Sequence, residues 1–487
     1  MSENQSASQE GVGQLARTLT WKQGLIVAMG VPILIMPSIA DMSIPLWGMS
    51  IVIWVISVIS GFFINLPIGE LCATFGVAGM GGSIQYVFED DEKYKNKKIN
   101  TGRLIGAIGA WSYFVAWFTV IPIFTIMVGY YLIDAFNLEL EGWMETGFYL
   151  LLGVAVYSYT IGTSLKGLEG GAKFQMILTL FTIIPLVVIV CAPFFMGGFH
   201  MDTILDNFTP PDWAWDGNAF LLILSLLTIA QWSAVGWETA ATYGAEYKEP
   251  AKDVPKALIM CGIACLVLYF LISFAVYGTL GPLGIEAAGA TSLAVIAEDC
   301  FGETIGLVAT LLLMVGMIVI VQTSMQGCSR TIQVMATNGH MPMWLSKTNK
   351  YGVPVNALLF QAAAGFLVIL SGLTASETLA ISCPGYVITH GLCQLAFIKS
   401  RKDPRFKDVE RIYKCPRGFV GISMGIVVLE FFLFLPSLFW YLYTFSGIVY
   451  CIVAAVSILI YVPIWYGIQK WNHEKHPEIP NGVNWNE

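Results

Sequence analysis

The sequence predicts an all-α polytopic membrane protein of about 12 transmembrane helices, with two segments five helices apart that point to an inverted repeat. Three observations predict it. The chain is 56% hydrophobic and only 12% charged, where soluble proteins carry about a quarter charged residues. Its cations segregate to alternate loops. Two apolar stretches five helices apart carry helix breakers at matching places.

A bilayer core needs roughly 20 apolar residues per helix. Such stretches run near 23–42, 46–70, 104–132, 147–164, 174–195, 219–241, 257–279, 304–333, 355–373, 377–398, 419–440 and 445–468, numbered here as spans one to twelve. They divide the chain into an N-terminal tail (1–20), a first repeat (21–195), a second repeat (219–398), spans eleven and twelve (419–468) and a C-terminal tail (469–487). The first 20 residues are polar, with no apolar core and no small-residue cleavage site, which argues against a secretory signal peptide.

Orientation follows from charge. With both termini in the cytoplasm, all 25 Lys and Arg fall in tails, cytoplasmic loops or cytoplasmic helix ends, from Arg17 and Lys22 to Lys470 and Lys475. The segment 399–417 alone holds eight. The opposite loops carry acids such as Asp134, Glu141, Asp202, Asp216, Glu286 and Glu298. This is the positive-inside pattern of a multi-pass protein in the cytoplasmic membrane, whose immediate partner is the lipid bilayer. Trp143, Trp213, Trp215, Trp440 and Tyr441 read as interface anchors. The net charge of −8 reflects this segregation, and no basic patch suits nucleic acid. Ten cysteines lie mostly in apolar runs and read as small buried residues rather than a disulfide framework.

Span one contains "MGVPILIMPSIADM", with Gly30, Pro32 and Pro37 inside an apolar run. Inside hydrocarbon, non-helical backbone survives only where it lines a cavity or is buried in protein. Pro32 lacks an N–H and Gly30 lowers helix propensity, so the chain is expected to unwind near 30–34. Span six reads "LTIAQWSAVGWETAATYGAEYKEPAKDVP": Gln231, Ser233 and Gly236 interrupt it and Glu238 follows. A lone acid in a span costs about 2.5–3.5 kcal/mol on insertion scales, so it should face a cavity or a partner. Paired breaks in two halves point to an inverted-repeat transporter with its site between the breaks. The substrate-binding candidates are therefore Gly30, Val31, Pro32, Ile33, Trp232, Ser233, Ala234 and Gly236. Trp237, Glu238 and Trp117 are the gate or coupling candidates, and Asp41, at the outer end of span one, reads as surface first and as a gate second.

These segments resemble the amino acid–polyamine–organocation (APC) permease superfamily over residues 16 to 440. In span two, Glu70, Leu71, Gly81, Gly82 and Tyr86 match; around span six, Gly236, Glu238, Glu246, Pro250 and Pro255 match. After span eight, Ser329, Arg330, Met335, Ala336, Gly339 and Pro342 match, and Gly352 and Pro354 continue the pattern. The resemblance implies the leucine-transporter-like five-plus-five inverted-repeat fold with two extra C-terminal helices. It also implies that the first break holds the substrate, through a Gly-Ser-Gly-Ile-Phe motif whose N–H groups bind a carboxylate. Here Gly30, Val31, Pro32, Ile33 and Leu34 stand in its place. One donor and one hydroxyl are missing, which favours an amine or organic cation over α-carboxylate recognition. The resemblance places Trp232 where relatives carry a gating aromatic, and an aromatic box suits an ammonium group. Where some proton-coupled relatives carry a lysine on span five, this chain has Thr182. Thr323 and Ser324 on span eight stand where sodium-coupled relatives of the fold place hydroxyl ligands. The two hydroxyls read first as bonding their own helix backbone, and His390 reads first as packing with a proton role second; transport is expected to use sodium, protons or exchange, with no other cofactor.

The expected function is secondary active transport of a small amino acid or amine by alternating access. The alternative is an organic-cation, polyamine or betaine transporter or exchanger. A non-transporting sensor ranks lower. So does a membrane enzyme, because none of the five histidines sits with Cys or Asp at metal-ligand spacing inside a span. A channel fits the span count but not the paired breaks.

Overall fold

The computed structural model describes residues 19–28, 30–75, 79–89, 98–165, 167–242, 247–411, 413–479 and 481–485. Glu246 of the span-six motif and the cations Arg17, Lys93, Lys95, Lys97 and Lys166 lie outside them. Among the described residues every regular element is helical, and the only extended pairings are isolated bridges, Leu19 with Tyr247 and Ile99 with Val483. Nine helices among them are long and apolar enough to cross a membrane.

Their burial sorts centre from rim. The most apolar windows of Thr101–Ala135 and Ala375–Lys402 are each 78% buried, those of Phe419–Ser446 and Ile448–Lys475 only 17% and 28%. Spans three and ten therefore sit inside the bundle, with spans one and six against them. Spans eleven and twelve turn their apolar sides outward, as helices facing lipid do.

Both expected breaks are present. In span one the helix Trp21–Ala28 ends, an eight-residue 3-10 helix follows over Val31–Ser38, and an α-helix resumes at Ile39–Leu46. Runs of 3-10 geometry longer than three or four residues are uncommon and mark hinges or strain. Pro32 opens this one and Pro37 lies inside it. Span six stops at Ala234, turns through Val235, makes one 3-10 turn at Gly236–Glu238 and resumes at Thr239–Thr242.

Spans seven and eight run beyond their expected bounds. The helices Pro250–Ala288 and Ser292–Thr337 absorb most of the expected loop, bending at Gly281 (φ 63°) and Gly302 (φ 75°). Only glycine adopts that backbone cheaply, so these two residues turn an alanine-rich loop into short helices instead of ending them. The 3-10 turn Gly289–Thr291 between them packs over the 3-10 segment of span one.

The opposite end of the molecule is held by polar contacts. Lys248 N donates to Leu19 O at 2.8 Å, Trp21 N donates to an Asp253 oxygen at 3.2 Å, and Lys256 lies 4.3 Å over the Trp21 ring. Glu70, fully buried, accepts from Arg401 Nε at 2.6 Å, from Arg411 at 2.8 Å and from Cys415 N at 2.7 Å. The tail after span twelve folds back: Asn100 N donates to Gly482 O and Asn484 N to Lys98 O, both at 2.8 Å. His340, in the loop after span eight, accepts at Nδ1 from Trp465 Nε1 at 3.0 Å. Burial, then the Arg103 charge, pushes its pKa well below the usual imidazole range, consistent with a neutral ring that can accept. All ten cysteines are free.

Candidate functional site

The two breaks meet. A methyl group at Gly236 would lie 3.2 Å from Leu34 Cδ1 and 3.5 Å from both Val31 Cγ1 and Trp117 Cζ2. Span eight closes a third side, since a methyl at Gly30 would lie 3.4 Å from Ile320 Cδ1 and one at Gly316 would lie 2.8 Å from Ile33 Cδ1. Thr182 packs against Gly316 as well, so small residues are what let spans one, five and eight converge. Val31, Pro32, Ile33, Trp232, Ser233, Ala234 and Gly236 are all buried, as are Trp117 and Glu238.

Breaking two helices frees backbone carbonyls, and each needs a partner in a dry interior. Side chains from neighbouring spans supply them. The Tyr269 hydroxyl lies 3.1 Å from Val31 O and 2.6 Å from Ser233 O, bridging the two breaks with one group. Asn65 Nδ2 donates to Val235 O at 3.0 Å, Thr239 Oγ1 to Gly236 O at 3.1 Å and Trp237 Nε1 to Ala234 O at 3.1 Å. Ser38 and Ser233 hydroxyls lie 3.3 Å apart. In this conformation the carbonyls of Ala234, Val235 and Gly236 therefore each have a side-chain donor, and the single Tyr269 proton serves either Val31 O or Ser233 O.

Span three has its own interruption at Thr119, between the helices Thr101–Phe118 and Val120–Ala135. Carbonyls at a helix C-terminus lack partners within the helix. Trp232 Nε1 donates to Ala116 O at 3.1 Å and Ser324 Oγ to Trp117 O at 2.6 Å. Trp232 is thus anchored across the site to span three. Ser324 points to span three, while Thr323 Oγ1 donates to Val319 O of its own helix at 3.0 Å. Trp237 is directed away from the meeting point: it packs on Phe62 with ring centroids 5.1 Å apart, near Gly61 and Gly262. Trp111 also turns outward, stacked on Tyr461 and donating to Ser457 O at 2.9 Å.

Glu238 is the chemical focus. One carboxyl oxygen, Oε1, accepts from Trp117 Nε1 at 3.1 Å and from the Tyr386 hydroxyl. The other, Oε2, is buried with no hydrogen-bond partner. An acceptor left bare in a dry site is costly, and an N–H donor would satisfy it. His390 sits behind, its ring centroid 4.2 Å from that of Tyr386 and both ring nitrogens without a partner. Among the described residues no group of three His, Cys, Asp or Glu could hold a metal ion.

Sequence reasoning passes over four participants. Tyr269, Asn65 and Tyr386 become visible only once helices are packed, although Asn65 in "FFINLP" and Tyr386 in "CPGYVITHG" are polar groups inside apolar runs. Glu430 is different. It is a lone acid in span eleven, detectable by the same rule that singles out Glu238, and it accepts from Gln231 Nε2 at 2.7 Å.

A family model described as amino acid permease matches residues 19–468. An uncharacterized amino acid permease, YecA of Bacillus subtilis, is 25% identical over 73% of this chain and 78% of its own length. The amino-acid permease GAP3 of Candida albicans is 24% identical over 66% of this chain and 51% of its own length. The arginine/ornithine antiporter ArcD1 of Lactococcus lactis is 24% identical over 53% of this chain and 52% of its own. The chain thus spans about half the length of two of these relatives.

Proposed function

The chain belongs to the amino acid permease family of the APC superfamily, and from that premise we propose that it is a secondary active transporter for a small amine or amino acid. Cargo would lie between residues 30–34 and 232–238, and alternating access would open that region to each side in turn. The observation that carries this reading is Glu238 Oε2, a bare acidic acceptor where the two broken helices meet. It suits the ammonium group that amines and amino acids share, with Val31, Leu34 and Trp117 as apolar walls.

Two finer readings go with it. The long helix pair Pro250–Thr337, divided by Gly281 and Gly302, counts as spans seven and eight. With Trp143–Ser164 and Val355–Leu370 added, the set reaches twelve in the five-plus-five-plus-two order. An amine is favoured over α-carboxylate recognition, because Pro32 has no N–H and the nearby carbonyls are acceptors only. Thr323 and Ser324 give their hydroxyl protons to Val319 O and Trp117 O and keep their oxygen lone pairs, so a thermal-shift screen with and without sodium decides the coupling ion.

The test is uptake by the purified chain in proteoliposomes, using radiolabelled L-leucine, L-phenylalanine, L-arginine, glycine betaine and putrescine, chosen after a thermal-shift screen with and without sodium. Saturable uptake of one class is expected. Trp232→Ala, which removes the anchor to Ala116, is expected to lower it at least about tenfold with normal membrane expression, as loss of a large buried aromatic requires. Saturable binding without flux would replace the transporter with a sensor; unchanged uptake in the variant would overturn the assigned site.

A further inference from the structure

Span eleven crosses near mid-length with a stretch of π-helix, Leu429–Phe434, and Glu430 is its second residue. Wider turns of this kind are rare and frequently found at functional sites; the same span has a second one at Leu442–Ser446. Glu430 is 0% exposed. Its Oε1 accepts from Gln231 Nε2, and Gln231 lies one turn before the break of span six, its carbonyl accepting from Val235 N at 3.1 Å. Two atoms of this pair are left over: Glu430 Oε2 and Gln231 Oε1 are both buried without a hydrogen-bond partner.

An ionised carboxylate and an amide oxygen are both acceptors only, so neither can satisfy the other. A single proton on Oε2 changes that. The neutral acid becomes a donor, and the acceptor of the pair stands on the same Gln231 side chain that already donates to Oε1. The neighbouring elements offer no countercharge. Span six contributes no charged residue over Gly217–Ala234, and span eleven none besides Glu430 over Phe419–Ser446. Span ten packs against this turn through Gly391 and Phe431, and its buried titratable groups nearby are Cys383, Tyr386, His390 and Cys393. Among the described residues no Lys or Arg pairs with Glu430. A metal ion of the hard class wants about six oxygens, and two bare ones fall short, whereas they suffice for a proton.

We propose that Glu430 with Gln231 is a proton-binding site outside the cargo site, and that its protonation is coupled to the movement of span six. The inference rests on the transporter reading. The step is Glu430 carboxylate plus a proton from water giving the neutral acid, an O–H bond at Oε2; release returns the proton to water. Because Gln231 belongs to the half-helix that ends at the break, holding or freeing its side chain biases how that half-helix packs. Ser225 Oγ, donating to Ser437 O at 2.7 Å, ties the same two spans together a turn and a half away.

Two experiments on the full chain test this. Infrared titration of the protein without cargo is expected to show a protonated-carboxyl C=O band that Glu430→Gln removes and Gln231→Leu shifts. In proteoliposomes with an imposed pH gradient, the wild type is expected to accumulate the cargo identified by the panel above its equilibrium level. Glu430→Gln is expected to lose that accumulation at least tenfold while keeping the cargo-induced thermal shift. A band untouched in Glu430→Gln overturns the proposal. So does wild-type uptake that is saturable but indifferent to the pH gradient, and that result leaves the transporter reading standing. Wild-type protein with no uptake at all overturns the transporter reading and, with it, the coupling to transport; the infrared band then decides the proton site alone.

Discussion

Glu70 and Glu238 are both fully buried carboxyl groups on membrane-crossing helices, and their surroundings differ in kind. Glu70 is gripped by two guanidinium groups and a backbone N–H, with both oxygens occupied. Glu238 has two neutral donors on one oxygen and nothing on the other. The first arrangement is complete and ties Arg401, Arg411 and Cys415 to the end of span two. The second is incomplete and waits for a partner. Intramembrane acids are costly in either case. Glu430, with one oxygen bare, shares the open arrangement of Glu238, and on the proposed reading both serve function where Glu70 serves structure.

The largest effect that sharpens this contrast is on stability. Glu70→Ala leaves Arg401 and Arg411 buried without a countercharge and is expected to destabilise the protein by about 3–5 kcal/mol, as removal of one partner of a buried ion pair does. Thermal unfolding in detergent measures it; a melting temperature unchanged from wild type would break the comparison. Glu238→Gln should do the reverse. Hydrogen bonds to charged groups contribute about 1.5–3 kcal/mol, so cargo binding is expected to weaken roughly tenfold to a hundredfold while thermal stability stays near wild type. A large loss of stability with intact binding would place Glu238 with Glu70.

The smallest effects come from two glycines at the breaks. Gly236→Ala puts a methyl 3.2 Å from Leu34 and close to Trp117, narrowing the space beside Glu238, and is expected to weaken cargo binding by about 1 kcal/mol, near fivefold. Gly30→Ala meets only Ile320 at 3.4 Å, on backbone of ordinary right-handed geometry, and is expected to change binding less than twofold. Equal effects in a binding isotherm would remove the distinction between the walls of the site and its back.

Much of this architecture is written in local residue chemistry. Pro32 and Gly30 mark the first break because a missing N–H and a missing side chain act on the helix wherever it packs. Glu238 marks itself because charge in hydrocarbon demands a reason. The length of the 3-10 run over Val31–Ser38 is only half marked: Pro37 is local, but the turn Gly289–Thr291 that packs on the run comes from between spans seven and eight. Trp232 and Trp237 show the other limit. They are five residues apart in one apolar run, and only the turn at Val235 decides that one reaches span three while the other lies behind the break on Phe62. The freed carbonyls were legible as a consequence of the breaks, but their partners Tyr269 and Asn65 come from other helices and carry no local sign.

The central claim is that cargo occupies the meeting point of two interrupted helices and satisfies the open oxygen of Glu238. A cryo-EM map of the chain with its cargo bound tests it most directly. The account predicts density touching residues 30–34 of span one and 232–238 of span six, with the amino group within hydrogen-bond reach of Glu238 Oε2. Cargo density elsewhere, with that oxygen still unpaired, would contradict it.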